Sequence, residues 1–182
     1  MHIRHIAAIA AACGLASAVA LAQPGEVTAR ATATIKGEGI SGQATFTERR
    51  MGEGTVVMIE LTAEGLKPGR HGVHLHAVGK CEPDFAAAGG HFDPGPAGNP
   101  DPDANHPFHM GDIPNLTVGQ DGKGTLRAMT SRATLSDGPV SLFDADGSAI
   151  IIHGNPDQGI TGEPKSGVSG GPRVACGVIT KS

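Results

Sequence analysis

The residues best able to do chemistry in this chain are its histidines. Three of them fall within six residues, His71-Gly72-Val73-His74-Leu75-His76. Residues two apart on a strand face the same side, so His74 and His76 can aim two imidazoles at one place. His91, His106, His109 and His153 follow, and Asp112 comes three residues after His109. Of the nine histidines, only His2 and His5 lie outside the interval 71–153. A surface strand with scattered histidines would not confine them in this way. Imidazole suits copper, zinc, iron and nickel. Four imidazoles satisfy tetragonal Cu(II), whereas two or three with a carboxylate suit tetrahedral zinc. The residue types allow two metals without assigning them.

The elements that must position these side chains are strands. Residues 26–36 and 40–48 alternate small or apolar residues with polar ones, and residues 55–63 are more apolar. Gly37-Glu38-Gly39 and Gly52-Glu53-Gly54 punctuate them, so the three read as an antiparallel meander. The histidine strand, 71–78, follows the turn Gly65-Leu66-Lys67-Pro68-Gly69. Residues 79–112 then lose all periodicity and collect six prolines with many Gly, Asp and Asn. A loop this long without secondary structure is normally functional or disordered. A disordered insertion would fit the prolines but not the ligand types. Strands resume at 115–119, 125–130, 149–153 and 173–179, and 154–172 is a second glycine-rich loop. Leu135 and Phe143, in the connection 131–147, are candidates to plug one barrel end. The sum is an all-β fold: an eight-stranded Greek-key β-sandwich or flattened barrel with two long functional loops.

Residues 1–22 read as a cleaved export signal, with Arg4 as the basic start, an alanine-dominated apolar run from Ile6 to Val19, and Ala20-Leu21-Ala22 as cleavage signature. The run is too short for a permanent membrane span. Cys13 lacks the aliphatic residue three positions earlier that lipidation signals usually carry, so no membrane anchor is expected. The mature domain is then 23–182, exported to the periplasm or secreted. Loss of Arg4 takes the formal charge from −4 to −5. A mildly acidic chain without a basic run excludes nucleic acid as a partner, and the absence of Trp and Tyr removes stacking platforms. Cys81 and Cys176 remain, and an isolated pair in an exported protein reads as one disulfide.

Five ordered motifs now stand out: His71-Gly72-Val73-His74-Leu75-His76, Gly89-Gly90-His91-Phe92-Asp93-Pro94, His109-Met110-Gly111-Asp112-Ile113-Pro114-Asn115-Leu116, Ile151-Ile152-His153 with Asp157, and the segment from Gly171 to Ile179. With them the chain, from about residue 27 to its end, resembles the copper/zinc superoxide dismutases. The resemblance implies that two superoxide anions are converted to dioxygen and hydrogen peroxide with the help of a Cu(II)/Cu(I) couple. It implies copper ligands His74, His76 and His153, with His91 bridging copper and zinc and supplying a proton. His109 and Asp112 match zinc ligands. Asp157 matches the carboxylate that links a copper-side histidine to a zinc-side one. Arg173 matches the guanidinium that attracts the anionic substrate, and His71 a histidine that braces the site without ligating. Cys81 and Cys176 match the family disulfide. Lys165, in the same loop as Asp157, reads as a solvated lysine.

One departure matters. The family places a zinc histidine about eight residues beyond the bridging one, where this chain has Gly98-Asn99-Pro100. His106 is the candidate to take that role from a rearranged loop. The altered loop also motivates a second reading, a non-enzymatic copper-binding protein for storage or delivery with an altered or absent zinc site. Surfaces of this family can pair as homodimers, and no segment here decides whether this chain does.

Overall fold

The computed structural model describes residues 25–95, 98–99 and 101–182. The export signal, with Cys13, and Pro100 lie outside the described residues. The chain forms β1 (Val27–Gly37), β2 (Ile40–Met51), β3 (Gly54–Glu64), β4 (Gly69–His76), β5 (Asp112–Val118), β6 (Lys123–Thr130), β7 (Ala149–His153), β8 (Arg173–Val178) and a two-residue β9 (Thr180–Lys181). Neighbours run in the order β2-β3-β6-β5-β4-β7-β8-β1-β9, and β1 also pairs β2, which closes the sheet into a barrel. The pairings β3–β6 and β4–β7 are the crossovers of a Greek key. The predicted meander is present as the antiparallel pairs β1–β2 and β2–β3.

Alternation in β2, β3 and β6 puts Ala44, Phe46, Val57, Ile59, Leu61, Leu126 and Ala128 inside. They meet Leu75, Leu116, Ile150 and Ile152 in one core. Burying each Leu, Ile or Phe contributes about 1.5–3 kcal/mol. Leu135 is buried in the same core and Phe143 packs against it half-buried. The connection carrying them is held from below by Glu48, a fully buried carboxylate. It accepts from the Leu135 amide at 2.6 Å, the Ser136 amide at 3.0 Å, the Thr28 hydroxyl at 2.6 Å, and the Ser136 hydroxyl.

Three boundaries differ from the alternation pattern, for physical reasons. The fifth strand begins at Asp112 rather than 115 because Asp112 pairs with His74 of β4. The histidine strand ends at His76 because the isolated bridge His76–His91 takes over from it. The last strand breaks at Ile179, whose amide turns to donate to the Ser148 carbonyl at 3.0 Å, and β9 continues along β1. Among the described residues of 79–111 the one helical piece is a short 3₁₀ turn, Phe85–Ala88, capped by the Asp84 carboxylate on the Ala86 amide.

Candidate metal centre

β4 is buried on both faces from His71 to His76. Val73 and Leu75 enter the core, so His74 and His76 face outward beneath the two long loops. Strand register assembles their partners. His74 lies opposite Asp112, His76 opposite His91, and His153 opposite Arg173. Gly111 makes this approach possible, because a Cβ there would stand 2.3 Å from the Leu75 carbonyl oxygen.

One nitrogen of each ring is fixed. His76 Nδ1 donates to Gly89 O at 3.0 Å and His153 Nδ1 to Gly171 O at 3.0 Å. His74 Nε2 lies 2.9 Å from Asp157 Oδ2, and His91 Nδ1 lies 2.7 Å from Asp112 Oδ1. The opposite atoms, His74 Nδ1, His76 Nε2, His91 Nε2 and His153 Nε2, are buried without a hydrogen-bond partner. A carbonyl only accepts, so His76 and His153 carry their proton on Nδ1 and present a bare lone pair at Nε2. The four residues offer ligand atoms within 4.8 Å of one another. Buried polar atoms are rarely left unpaired, so four such lone pairs around one point fit a metal ion and little else. His71 differs: its Nδ1 and Nε2 lie 2.8 Å from the carbonyl oxygens of His153 and Lys67. Neither nitrogen is left for a metal.

A second set adjoins the first. His106 Nδ1 and His109 Nδ1 lie 3.2 and 3.1 Å from Asp112 Oδ2, on the carboxylate that His91 also touches. His106 Nε2 is 2.7 Å from Asp157 Oδ1, so Asp157 joins His74 to His106 across the two sets. Three ring nitrogens and one carboxylate are the donors that tetrahedral zinc takes. By spacing, the second group whose ligand atoms lie within 4.8 Å of one another is His74, His91, His106 and Asp112, without His109.

Arg173 is held from the loop: its guanidinium donates to Phe85 O at 2.7 Å and Gly89 O at 2.6 Å. With His153 it borders a cavity of about 250 Å³. Cys81 and Cys176 form a disulfide across a sequence separation of 95, tying the segment that holds Arg173 to β8.

A family model described as Copper/zinc superoxide dismutase (SODC) matches residues 40–179. The chain belongs to the copper/zinc superoxide dismutase family. Among its relatives is a protein of Deinococcus radiodurans named Superoxide dismutase [Cu-Zn], 42% identical over 171 residues and covering 88% of each chain. Another of that name, from Caulobacter vibrioides, is 42% identical over 157 residues, covering 82% of this chain and 84% of the relative. The crystal structure of the clock protein EA4 superposes with a TM-score of 0.68 at 28% identity, covering 87% of this chain and 98% of that one.

Within this copper/zinc superoxide dismutase fold, electrostatics separates the two sets. Burial, together with the charge of neighbouring rings and Arg173, pushes His76 well below the ordinary histidine range. Burial likewise takes His153 down to about 3, and His91 to about 4 despite Asp112. At His106 burial is outweighed by hydrogen bonds and charge from Asp112 and Asp157, which raise it to about 9. Both carboxyls are held well below the usual carboxylate range, because their histidine partners overcome burial.

All the histidines singled out in the sequence lie here, with Asp112, Asp157 and Arg173. Two supporting residues escaped notice. The Asn115 side chain clamps the Asp157 backbone, donating to its carbonyl at 2.9 Å and accepting from its amide at 2.8 Å. The Arg132 guanidinium donates to the backbone carbonyl of Asp112. Asn115 lies inside the motif His109–Leu116, as an amide able both to donate and to accept. Arg132 carries no local signal, since it lies in the connection after β6 and its partner is twenty residues away on β5.

Proposed function

We propose that this chain disproportionates superoxide to dioxygen and hydrogen peroxide. Copper would be held by His74, His76, His91 and His153, and zinc by His91, His106, His109 and Asp112. The observation that carries the reading is the convergence of four buried, partnerless imidazole nitrogens within 4.8 Å. When bound, copper supplies the one-electron Cu(II)/Cu(I) couple that oxidises one superoxide and reduces the next, and zinc supplies the charge that supports His91.

His74 has one nitrogen to offer, because Asp157 holds the other. We assign that atom to the copper set and give His109 the place beside zinc. His91 presents Nε2 to one set and Nδ1 to the other. It can therefore take up a proton at Nε2 and hand it to the reduced substrate. Asp157 orients His74 and His106 together, as carboxylates behind metal-bound histidines do. Arg173 offsets the net negative charge of the protein locally and draws a small anion toward His153. His71 braces β4 from behind.

We read residues 1–22 as a cleaved export signal and 23–182 as the working domain, in the periplasm or outside the cell. The Cys81–Cys176 disulfide supports that reading, since such bridges persist in oxidising compartments. Among the described residues no helix is long and apolar enough to cross a membrane.

The test is a dismutase assay with copper and zinc content measured on the same sample. Activity that tracks copper occupancy supports the proposal. Full copper occupancy with negligible activity would leave a copper-binding protein without catalysis.

A further inference from the structure

The segment that brings His106 to the metal centre also reaches across to the second long loop. Asp103 is 5% exposed. Its carboxylate accepts from the Gly167 amide at 2.8 Å, the Ser169 amide at 3.0 Å and the Ser169 hydroxyl at 2.8 Å. Its main-chain carbonyl accepts from the Gly162 amide at 2.9 Å. Three residues on, the Thr161 hydroxyl donates to the carbonyl of His106. All of these donors belong to residues 154–172, so one buried carboxylate gathers two loops that lie far apart in sequence.

The same contacts frame the cavity in front of Arg173 and His153. Asp101 and Asp103 line it from the first loop, and Lys165 and Ser169 from the second. Two acids beside an anion's path make no sense as steering charges, because they repel the substrate that Arg173 attracts. They make sense as position. Asp103 points its charge into three donors rather than into the cavity. Lys165 sits in the left-handed region at φ 64, a conformation a non-glycine residue adopts at a cost and only where its surroundings impose it. Two residues later Asp103 grips Gly167.

We propose that Asp103 is a positioning residue, locking loop 154–172 onto the zinc-side segment and so fixing the wall of the channel that leads to Arg173 and His153. The proposal rests on the reading of Arg173 as the anion guide.

The test uses the full mature protein loaded with copper and zinc. Losing hydrogen bonds to a buried charged group should raise local opening by about tenfold or more, so Asp103→Ala is expected to accelerate amide exchange across 162–170 by that factor. The superoxide rate constant should fall by about three- to tenfold, at or below the low end of what steering supplies, and depend less on salt, with metal content unchanged. Ser169→Ala removes one donor and keeps the fold's carboxylate, and should move exchange and rate the same way by about threefold. Asp101→Asn, which removes a charge at the same mouth, should leave exchange unchanged and raise the rate. Wild-type exchange in Asp103→Ala and Ser169→Ala, or a rate raised as in Asp101→Asn, would overturn the proposal. Arg173→Ala, measured alongside, separates the two claims: if it alters neither rate nor salt dependence, the guide reading fails, while exchange at 162–170 still reports on Asp103.

Discussion

His106 is the residue on which the proposed zinc set turns. Its ring stands between two carboxylates, 3.2 Å from Asp112 and 2.7 Å from Asp157. His106→Ala is expected to weaken zinc by more than the roughly 10–100-fold that loss of a supporting partner costs, while copper stays bound. Competition with a chromophoric chelator on the copper-loaded protein measures this, and unchanged affinity would remove His106 from the zinc set. Arg173 is proposed to act on the substrate instead. Arg173→Ala should lower the superoxide rate by about tenfold and flatten its ionic-strength dependence without releasing copper. A rate unaltered at low salt would count against the guide. The ligand types and Arg173 were legible in the sequence because motif spacing brings them with it. Which nitrogen of each ring is free was not, because carbonyls of Gly89 and Gly171, remote in the chain, decide it.

At the scale of elements, the strand that bears His74 and His76 is positioned by its register against β5 and β7, and the barrel end by Glu48. Burial alone would raise the Glu48 pKa. Hydrogen bonds from Ser136, Thr28 and the Leu135 amide outweigh it and hold the carboxyl below its ordinary value of 4.5. A carboxyl depressed in the folded state stabilises fully above its unfolded value, and the stabilisation is lost as pH falls through the folded one. Glu48→Gln should therefore cost about 1–3 kcal/mol at neutral pH and reduce the loss of stability below pH 4.5. Denaturant titrations of metal-free, disulfide-intact wild type and variant at neutral and acid pH compare the two, and parallel pH curves would contradict the assignment. The alternation of β1, β2, β3 and β6 announced their faces. The early start of β5 at Asp112 did not show, because a pairing with His74 rather than local pattern sets it.

Across the whole molecule, the disulfide joins the loop that holds Arg173 to the strand that carries it. Closing a loop of about this size is worth roughly 4–5 kcal/mol by chain entropy, and removing a native bridge typically costs 2–5. Cys176→Ser should lower the unfolding free energy by about 2–5 kcal/mol and also slow the enzyme, because Phe85 O and Gly89 O then hold Arg173 less firmly. Thermal unfolding and rate are measured together. A destabilised variant with an undiminished rate would show that the bridge serves stability alone.

By itself the sequence determined the residue types, their order and the strand alternation. Two outward histidines on a barrel strand, five family motifs and a lone cysteine pair follow from local pattern, where side-chain period and ligand chemistry act over a few residues. Only the tertiary structure decided how residues 79–112 fold. There proline and glycine erase periodicity, and conformation is set by distant partners: Asp157 on His106, Gly167 and Ser169 on Asp103, Arg132 on Asp112. A histidine fifteen residues beyond His91 reaches the carboxylate His91 touches because these long-range contacts, not its spacing, place it there.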